Sequence, residues 1–298
     1  MLNSSMPGLK KVRSIQEFIE KDSDQGLERT YIYYSKDSTH LHSAKQDIEL
    51  LETPKWGKML FLDGTLQSST RDEVIYHNAL VHPLIHSLAK RQKILILGGG
   101  EGATAREVLR WPVYTAIMVD YDQELVEHMQ LHGAKWHKGA FHDLRLKVFY
   151  ECAWSYMKKG YTFDGVIIDL TDPDFVEERW EELLSLVIDS VRQAKGGFVM
   201  NAGLYQPWNT SKLQEIVKLI RKLCLKNPEF KYYIYTAYIP SFNGEWTFIV
   251  MKHKSTFLTE PEHLEILPEW IRRSIRTLPD HLITDVSTEP ILNKFIVE

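Results

Sequence analysis

Two cysteines, Cys152 and Cys224, are all that this 298-residue chain contains. They stand far apart in apolar surroundings, which gives neither a disulfide framework nor a paired thiolate motif for a metal and points to a reducing cytoplasm. No stretch approaches the ~18 consecutive apolar residues that mark a membrane span. The opening, Met1 to Lys11, also lacks the apolar core of a signal peptide. An excess of one sign of charge is missing as well, with 36 Lys and Arg against 40 Asp and Glu for a formal −4 and no long basic run. A nucleic-acid surface therefore has little electrostatic basis, although a small cationic ligand held by local carboxylates is compatible with this balance. Internal repeats and low-complexity tracts are missing.

What remains is an ordinary globular composition, 44% hydrophobic and 26% charged, at a length that suits one large domain carrying a smaller one. The first ~30 residues are polar and should be loosely ordered apart from a short helix near Ile15 to Ile19. Thr30 to Ser35, Gln46 to Glu52 and Lys58 to Leu62 alternate or run apolar and end at turn residues such as Asp63-Gly64, as antiparallel strands do. The expectation is a small N-terminal β-domain over residues 1–88 and a Rossmann-like domain over 89–298. Glu73 to Ala89 has helical spacing. From Ile94 onward strands alternate with helices: strands at 94–97, 116–120, 145–150, 165–169 and 198–201, helices at 104–110, 123–131, 153–158, 180–193 and 212–224. With late strands at 231–237 and 247–251, this predicts an α/β fold with a seven-stranded, methyltransferase-type sheet.

The strand at 94–97 runs into Gly98-Gly99-Gly100-Glu101-Gly102 and a helix follows at once, while Asp120 ends the next strand. Glycines Gly98 and Gly100 let a ligand approach the backbone, and a carboxylate at the second strand tip accepts from both hydroxyls of a ribose. A nucleoside site is expected. Glu101 within the loop disfavours a pyrophosphate and suits a cation, such as a sulfonium nucleoside whose tail ends in an amine; its plainer role would be to cap the helix at Thr104. Asp169-Leu170-Thr171-Asp172-Pro173 closes the fourth strand, where open α/β sheets hold ligands, and two carboxylates three residues apart can converge on one amine. Taken alone, the same segment reads as an Asp-Pro turn. His128, His132, His137 and His142 lack a thiol or carboxylate partner at familiar metal spacing, so solvated histidines and no metal site are expected. The apolar stripe Trp180, Leu183, Leu184, Val187, Ile188 and Val191 reads as core packing.

Leu62-Asp63-Gly64 with Gln67, Asp72-Glu73 with Tyr76-His77, the glycine loop, Asp169 to Pro173, and Ile239-Pro240-Ser241-Phe242 occur in an order and at a spacing that resemble the spermidine, spermine and thermospermine synthase family over about residues 40 to 255. The resemblance implies an aminopropyltransferase that uses decarboxylated S-adenosylmethionine as co-substrate, with no retained cofactor and a small polyamine as partner. By the same resemblance Gln46 and Glu101 contact that nucleoside, His77 lies near its aminopropyl amine, Asp120 holds its ribose, and Glu151 and Cys152 fall beside the adenine. Asp169 becomes the proton acceptor, and Asp172, Tyr76, Gln67 and Phe242 belong to the acceptor site. A homodimer or homotetramer is expected, with no nucleic-acid or membrane partner. The chain departs from the family pattern in having Glu101 and Glu151 for Asp, Asp120 for Glu, Phe242 for Tyr, Asp174 to Glu178 in place of Gly-Pro-Ala, and a loop before Trp246 that is one residue short. These departures favour the spermine and thermospermine synthases, hence spermidine as acceptor, over putrescine users. Two other function classes compete: an S-adenosylmethionine-dependent amine methyltransferase, against which Glu101 and Asp172 argue, and a non-catalytic polyamine-binding subunit.

Overall fold

The computed structural model describes residues 14–22, 26–170, 177–207, 209–256, 269, 273 and 275–277. It divides into two compact units, 1–71 and 72–298. The first is all β. Strands β1 (Ile15–Asp22) and β2 (Leu27–Tyr34) form an antiparallel hairpin; β3 (Thr39–His42), β4 (Asp47–Thr53), β5 (Gly57–Leu62) and β6 (Thr65–Ser69) form a four-stranded sheet in that order. Asp63 and Gly64, at φ 49° and 78°, make the tight two-residue turn between β5 and β6. Phe18 and Tyr31 of the hairpin pack their rings on Phe61, at 4.6 and 5.1 Å between centroids. Buried Glu20 accepts from the Tyr31 hydroxyl at 2.7 Å and from the Leu66 amide at 2.8 Å, tying hairpin to sheet.

The helix expected near Ile15 to Ile19 is instead strand β1. Residues four apart share a face in either geometry, so the Ile15 and Ile19 spacing did not discriminate. Pairing along the whole of β2, from Ile15 opposite Tyr34 to Asp22 opposite Leu27, decides for the strand.

The second unit opens with helix α1 (Glu73–Ser87). The division therefore falls at 71/72 and not at the expected 88/89. The physical reason is that Leu80, Leu84 and Ile85 of α1 share a core with Ile94 and Ile96 of the first central strand. Then follow β7 (Lys93–Gly98), α2 (Ala103–Leu109), β8 (Thr115–Asp120), α3 (Gln123–His132), α4 (Ala134–His137), β9 (Leu146–Tyr150), α5 (Ala153–Met157) and β10 (Gly165–Asp169). The rest is α6 (Glu177–Arg192), β11 (Gly197–Tyr205), α7 (Ser211–Lys226), β12 (Phe230–Ile239), β13 (Gly244–His253) and the two-residue β14 (Arg276–Thr277). The sheet order is β14-β12-β13-β11-β10-β7-β8-β9. Strands β7 to β11 pair in parallel and β13 runs antiparallel to both its neighbours, β11 and β12, so the expected seven-stranded sheet is present with β14 added at its edge.

One core layer joins the sheet to α5, α6 and α7 and includes the stripe from Trp180 to Val191; the other joins it to α1, α2 and α3. Pro83 inside α1 has no N–H for the Ala79 carbonyl, and the Tyr235 hydroxyl donates to that carbonyl at 2.7 Å instead. Parallel strands bring Gly98, Asp120, Tyr150 and Asp169 to the same end of the sheet, Gly98 opposite Asp169 and Asp120 opposite Tyr150. No helix among the described residues is long and apolar enough to cross a membrane.

Candidate active site

The glycine loop is locked to the tip of β10. Gly98 has φ +84°, and a Cβ there would lie 2.1 Å from the Asp169 carbonyl oxygen, so only glycine fits. The Gly99 amide donates to that same carbonyl at 3.2 Å. This contact holds the Asp169 side chain over the loop, where the Thr104 hydroxyl donates to Oδ2 at 2.5 Å and the Tyr76 hydroxyl donates to Oδ1 at 3.1 Å. Thr104 was not singled out from the sequence; its position in the first turn after a glycine loop, facing the next parallel strand, is the signal that would have found it.

Glu101 does not cap α2. The residue before that helix is Gly102, without a side-chain cap, and Glu101 Oε1 lies instead 2.7 Å from His77 Nε2. The other nitrogen, Nδ1, is 2.9 Å from Glu73 Oε2 and 2.7 Å from the Glu73 carbonyl. Each nitrogen of the buried His77 ring thus faces carboxylate or carbonyl oxygens, an arrangement that favours donation from both. Burial opposes that charge, but Glu101 and Glu73 outweigh it and hold the pKa well above the usual histidine value. Behind His77, Arg106 binds both oxygens of Glu73 at 2.9 Å, Glu107 at 2.7 Å and the Trp136 carbonyl at 2.5 Å.

Ligand-type atoms of His77, Glu101 and Asp169 lie within 4.8 Å of one another. With both imidazole nitrogens hydrogen-bonded to carboxylates, of Glu73 and Glu101, what the trio offers is a pair of carboxylates for a cation with directional N–H donors. Burial, then the Glu101 charge, pushes Asp169 up to about 6, against the lowering effect of His77, Thr104 and Tyr76. A carboxylate with that pKa is suited to accept a proton near neutral pH.

Asp120 is buried at the tip of β8. Its Oδ1 accepts from the Asp122 amide at 2.9 Å, and Oδ2 rests against Gly100, where a Cβ would come within 2.9 Å. Burial pushes Asp120 up to about 6 despite the Asp122 amide, with Glu101 adding to the rise. Glu151 follows β9 and pairs with Lys159 at 2.5 Å, and Cys152 is exposed at the start of α5. Tyr76 stands edge-on to Phe242 at 6.2 Å, and Phe242 packs on Trp246 at 4.6 Å. Asn201, overlooked in the sequence, accepts from the Trp246 indole N–H at 2.7 Å and from the Gly203 amide at 2.9 Å.

The structure thus brings together Tyr76, His77, Gly98, Gly100, Glu101, Asp120, Asp169 and Phe242. Gln46 and Gln67 lie in the first unit, Gln46 buried just before β4 and Gln67 on β6 with its amide donating to the Thr65 carbonyl at 3.2 Å. Asp172 and the acidic stretch that begins at Asp174 fall outside the described residues up to 176. Of the four histidines set aside, His128 and His132 are neighbours on α3 with rings 4.6 Å apart. His137 departs from expectation: it is buried against Phe141 at 5.1 Å, its Nδ1 accepting from the Gly139 amide at 3.1 Å.

Residues 73–261 match the spermine/spermidine synthase domain, and residues 33–70 match the spermidine synthase tetramerisation domain. The polyamine aminopropyltransferase of Aeropyrum pernix is 40% identical over 212 residues, which cover 69% of this chain and 65% of that protein. That of Korarchaeum cryptofilum is 34% identical over 228 residues, covering 76% and 68% respectively. The crystal structure of spermidine synthase from Thermotoga maritima has the same fold, with a TM-score of 0.73 at 20% identity over 97% of this chain and 99% of that one. A spermidine synthase in complex with the transition-state analogue AdoDATO also gives 0.73, at 21% identity over 97% and 98%.

Proposed function

The chain belongs to the spermine/spermidine synthase family, and on that premise we propose that it transfers the aminopropyl group of decarboxylated S-adenosylmethionine to an amine of a polyamine, releasing 5′-methylthioadenosine. The observation that carries this reading is the convergence of Asp169, Glu101 and His77 beside a nucleoside-type glycine loop. The acceptor amine arrives as an ammonium. Asp169 takes one proton from it, the freed nitrogen lone pair attacks the carbon next to the sulfonium, and the C–S electrons return to sulfur. Positive charge on the leaving group is discharged in this step, while a proton is left on Asp169 for release to solvent.

In this assignment Asp120 accepts from the ribose hydroxyls, with Gly98 and Gly100 giving the nucleoside room. Glu101, with His77 at its back, receives the ammonium of the aminopropyl tail, Gln46 adds a polar contact to the nucleoside, and Glu151 and Cys152 border the adenine. Tyr76, Asp169, Asp172, Gln67 and Phe242 form the acceptor site. Decarboxylation of the co-substrate matters because a carboxylate on the tail would meet Glu101 and Asp169. We assign spermidine as the preferred acceptor, giving spermine or thermospermine, with putrescine second. A homotetramer or homodimer working in the cytoplasm completes the reading.

Incubation of the pure protein with the decarboxylated nucleoside and each of putrescine, spermidine and a longer polyamine should yield 5′-methylthioadenosine and an aminopropylated product. Methyl transfer from S-adenosylmethionine with no aminopropylated product would replace this function with that of a methyltransferase.

A further inference from the structure

The buried charges behind the glycine loop form one chain. From the site backward it runs Glu101, His77, Glu73, Arg106 and Glu107, with contacts of 2.7 to 2.9 Å throughout. Glu107 then meets His82 Nε2 at 3.0 Å and Arg110 at 2.7 Å. The two histidines along this run are bonded differently. His82 Nδ1 accepts from the Trp111 indole N–H at 2.9 Å, so the Nε2 facing Asn78 and Glu107 carries the ring's proton. His82 thus meets a donor at one ring nitrogen and acceptors at the other, whereas both nitrogens of His77 meet acceptors.

We propose that Glu73 and Arg106 are positioning residues: they keep His77 doubly protonated, so that it braces Glu101 and offsets one of the two negative charges facing the substrate. The inference rests on the aminopropyl transfer proposed above. Arg106 fixes Glu73 with a two-bonded fork and is itself fixed by Glu107 and the Trp136 carbonyl, so the Glu73 carboxylate has little freedom to leave His77. Glu101 Oε1 is then held by His77, which leaves Oε2 for the cation. Seen from Asp169, the site contains one anion and one cation where it would otherwise contain an uncompensated anion.

The groups facing His77 are Glu73 from α1, Glu101 from the glycine loop and Asp169 from β10, with the edge of Tyr76 at 5.1 Å and Arg106 of α2 behind Glu73. The sign follows from these. The His77 charge lowers the Asp169 pKa, so weakening that charge raises it, and the proton acceptor then fills with protons at a higher pH. Glu73 reaches the base only through His77, and Arg106 only through Glu73.

The test uses the full chain labelled with 15N-histidine and 13C-aspartate. In the wild type at pH 8, the ring signal lost in His77→Gln should show both nitrogens protonated. In Glu73→Gln that ring should deprotonate at lower pH, and the Asp169 carboxyl titration should move up by about one unit. The acid limb of the kcat profile should move with it. Arg106→Lys, which keeps the charge and loses the fork, should give a smaller shift of the same sign and serves if Glu73→Gln does not fold. A neutral His77 ring in the wild type, or an Asp169 titration that stays put in both variants while the rate falls equally at every pH, would overturn the proposal. The carboxyl titration reads Asp169 with or without turnover, so a wild-type protein that failed to transfer aminopropyl groups would sink the functional assignment alone.

Discussion

Carboxylates behind the glycine loop and carboxylates in front of it share a fold, yet their environments push them in opposite directions. Behind, Glu73 and Glu107 are buried, which by itself would raise them; His77 and Arg106 for the first, and His82, Arg106 and Arg110 for the second, overcome that cost and hold both at about 2. In front, Asp120 and Asp169 are also enclosed by protein and have no cation strong enough to compensate, so both rise to about 6. The rear group is a completed electrostatic circuit. Among the described residues the front group has no cation to match its carboxylates, and in the proposed reaction a sulfonium with an ammonium tail and a polyamine would supply that charge.

Removing a charge should therefore have different consequences on the two sides. The largest effect is expected from Asp169→Asn, which deletes the proton acceptor without emptying the nucleoside pocket: kcat should fall by ~10²–10⁴-fold while calorimetric affinity for 5′-methylthioadenosine is retained. Near-normal turnover in this variant would end the assignment of Asp169 as base. On the rear side the loss should appear in stability. Arg106→Met leaves Glu73 and Glu107 buried beside fewer cations, and urea unfolding should show a cost of about 3–5 kcal/mol, typical of a broken buried ion pair. A cost below about 1 kcal/mol would place the circuit with surface pairs and blur the contrast drawn above.

Asp120→Ala is expected to weaken 5′-methylthioadenosine binding by about 1.5–3 kcal/mol, the worth of a hydrogen bond to a charged group, with kcat at saturation less affected. Unchanged affinity would show that the ribose sits elsewhere. The contrast also sets a pH dependence. For the depressed pair Glu73 and Glu107, stability is present above their unfolded values and is lost as pH falls from about 4.3 toward their folded value of about 2. For the raised pair the sign reverses: the folded state binds protons more tightly, so stability declines as pH rises from about 3.9 to their folded value of about 6. A cationic nucleoside bound as proposed would relieve that second loss. Its thermal stabilisation of the protein should grow as pH rises through 6, and a shift independent of pH from 5 to 8 would contradict the assignment of Asp120 and Asp169 to the ligand.

The front of the site was largely legible in the sequence, because strand, glycine turn and acid follow one another locally and each has a distinct residue type. Gly98, Asp120 and Asp169 fall at strand tips as expected, with Gly100 in the loop that follows β7. The rear was not legible. Glu73 and Arg106 are 33 residues apart, on helices whose polar residues ordinarily face water, and no local pattern pairs them. The same limit explains Asn201, a lone amide at a strand end whose partner Trp246 lies 45 residues away. In the first unit the β-strands announced themselves where they ended at turns, but Thr39–His42 and Thr65–Ser69 are short and polar enough to escape notice. At Ile15–Asp22 a strand resembled a helix because a four-residue apolar spacing fits both.

The smallest effect concerns which acceptor wins, and it depends on one aromatic edge. Phe242 lies between Tyr76, whose hydroxyl donates to Asp169, and Trp246, whose indole N–H Asn201 fixes, so it adds an apolar ring where a tyrosine would present a second hydroxyl. A short diamine places its far ammonium near the base and gains from each polar atom close by; a triamine reaches further and depends less on that wall. Spermidine should therefore outcompete putrescine for limiting decarboxylated nucleoside, with a tetraamine as the main product. Phe242→Tyr should move the balance toward putrescine by roughly the net worth of one neutral hydrogen bond, about 0.5–1.5 kcal/mol or a few-fold in the ratio of kcat/KM. Chromatography of the products from an equimolar mixture reads both at once. Spermidine as the dominant product of the wild type would refute the acceptor assignment and leave aminopropyl transfer intact, whereas an unchanged ratio in Phe242→Tyr would show that discrimination resides in another part of the acceptor site.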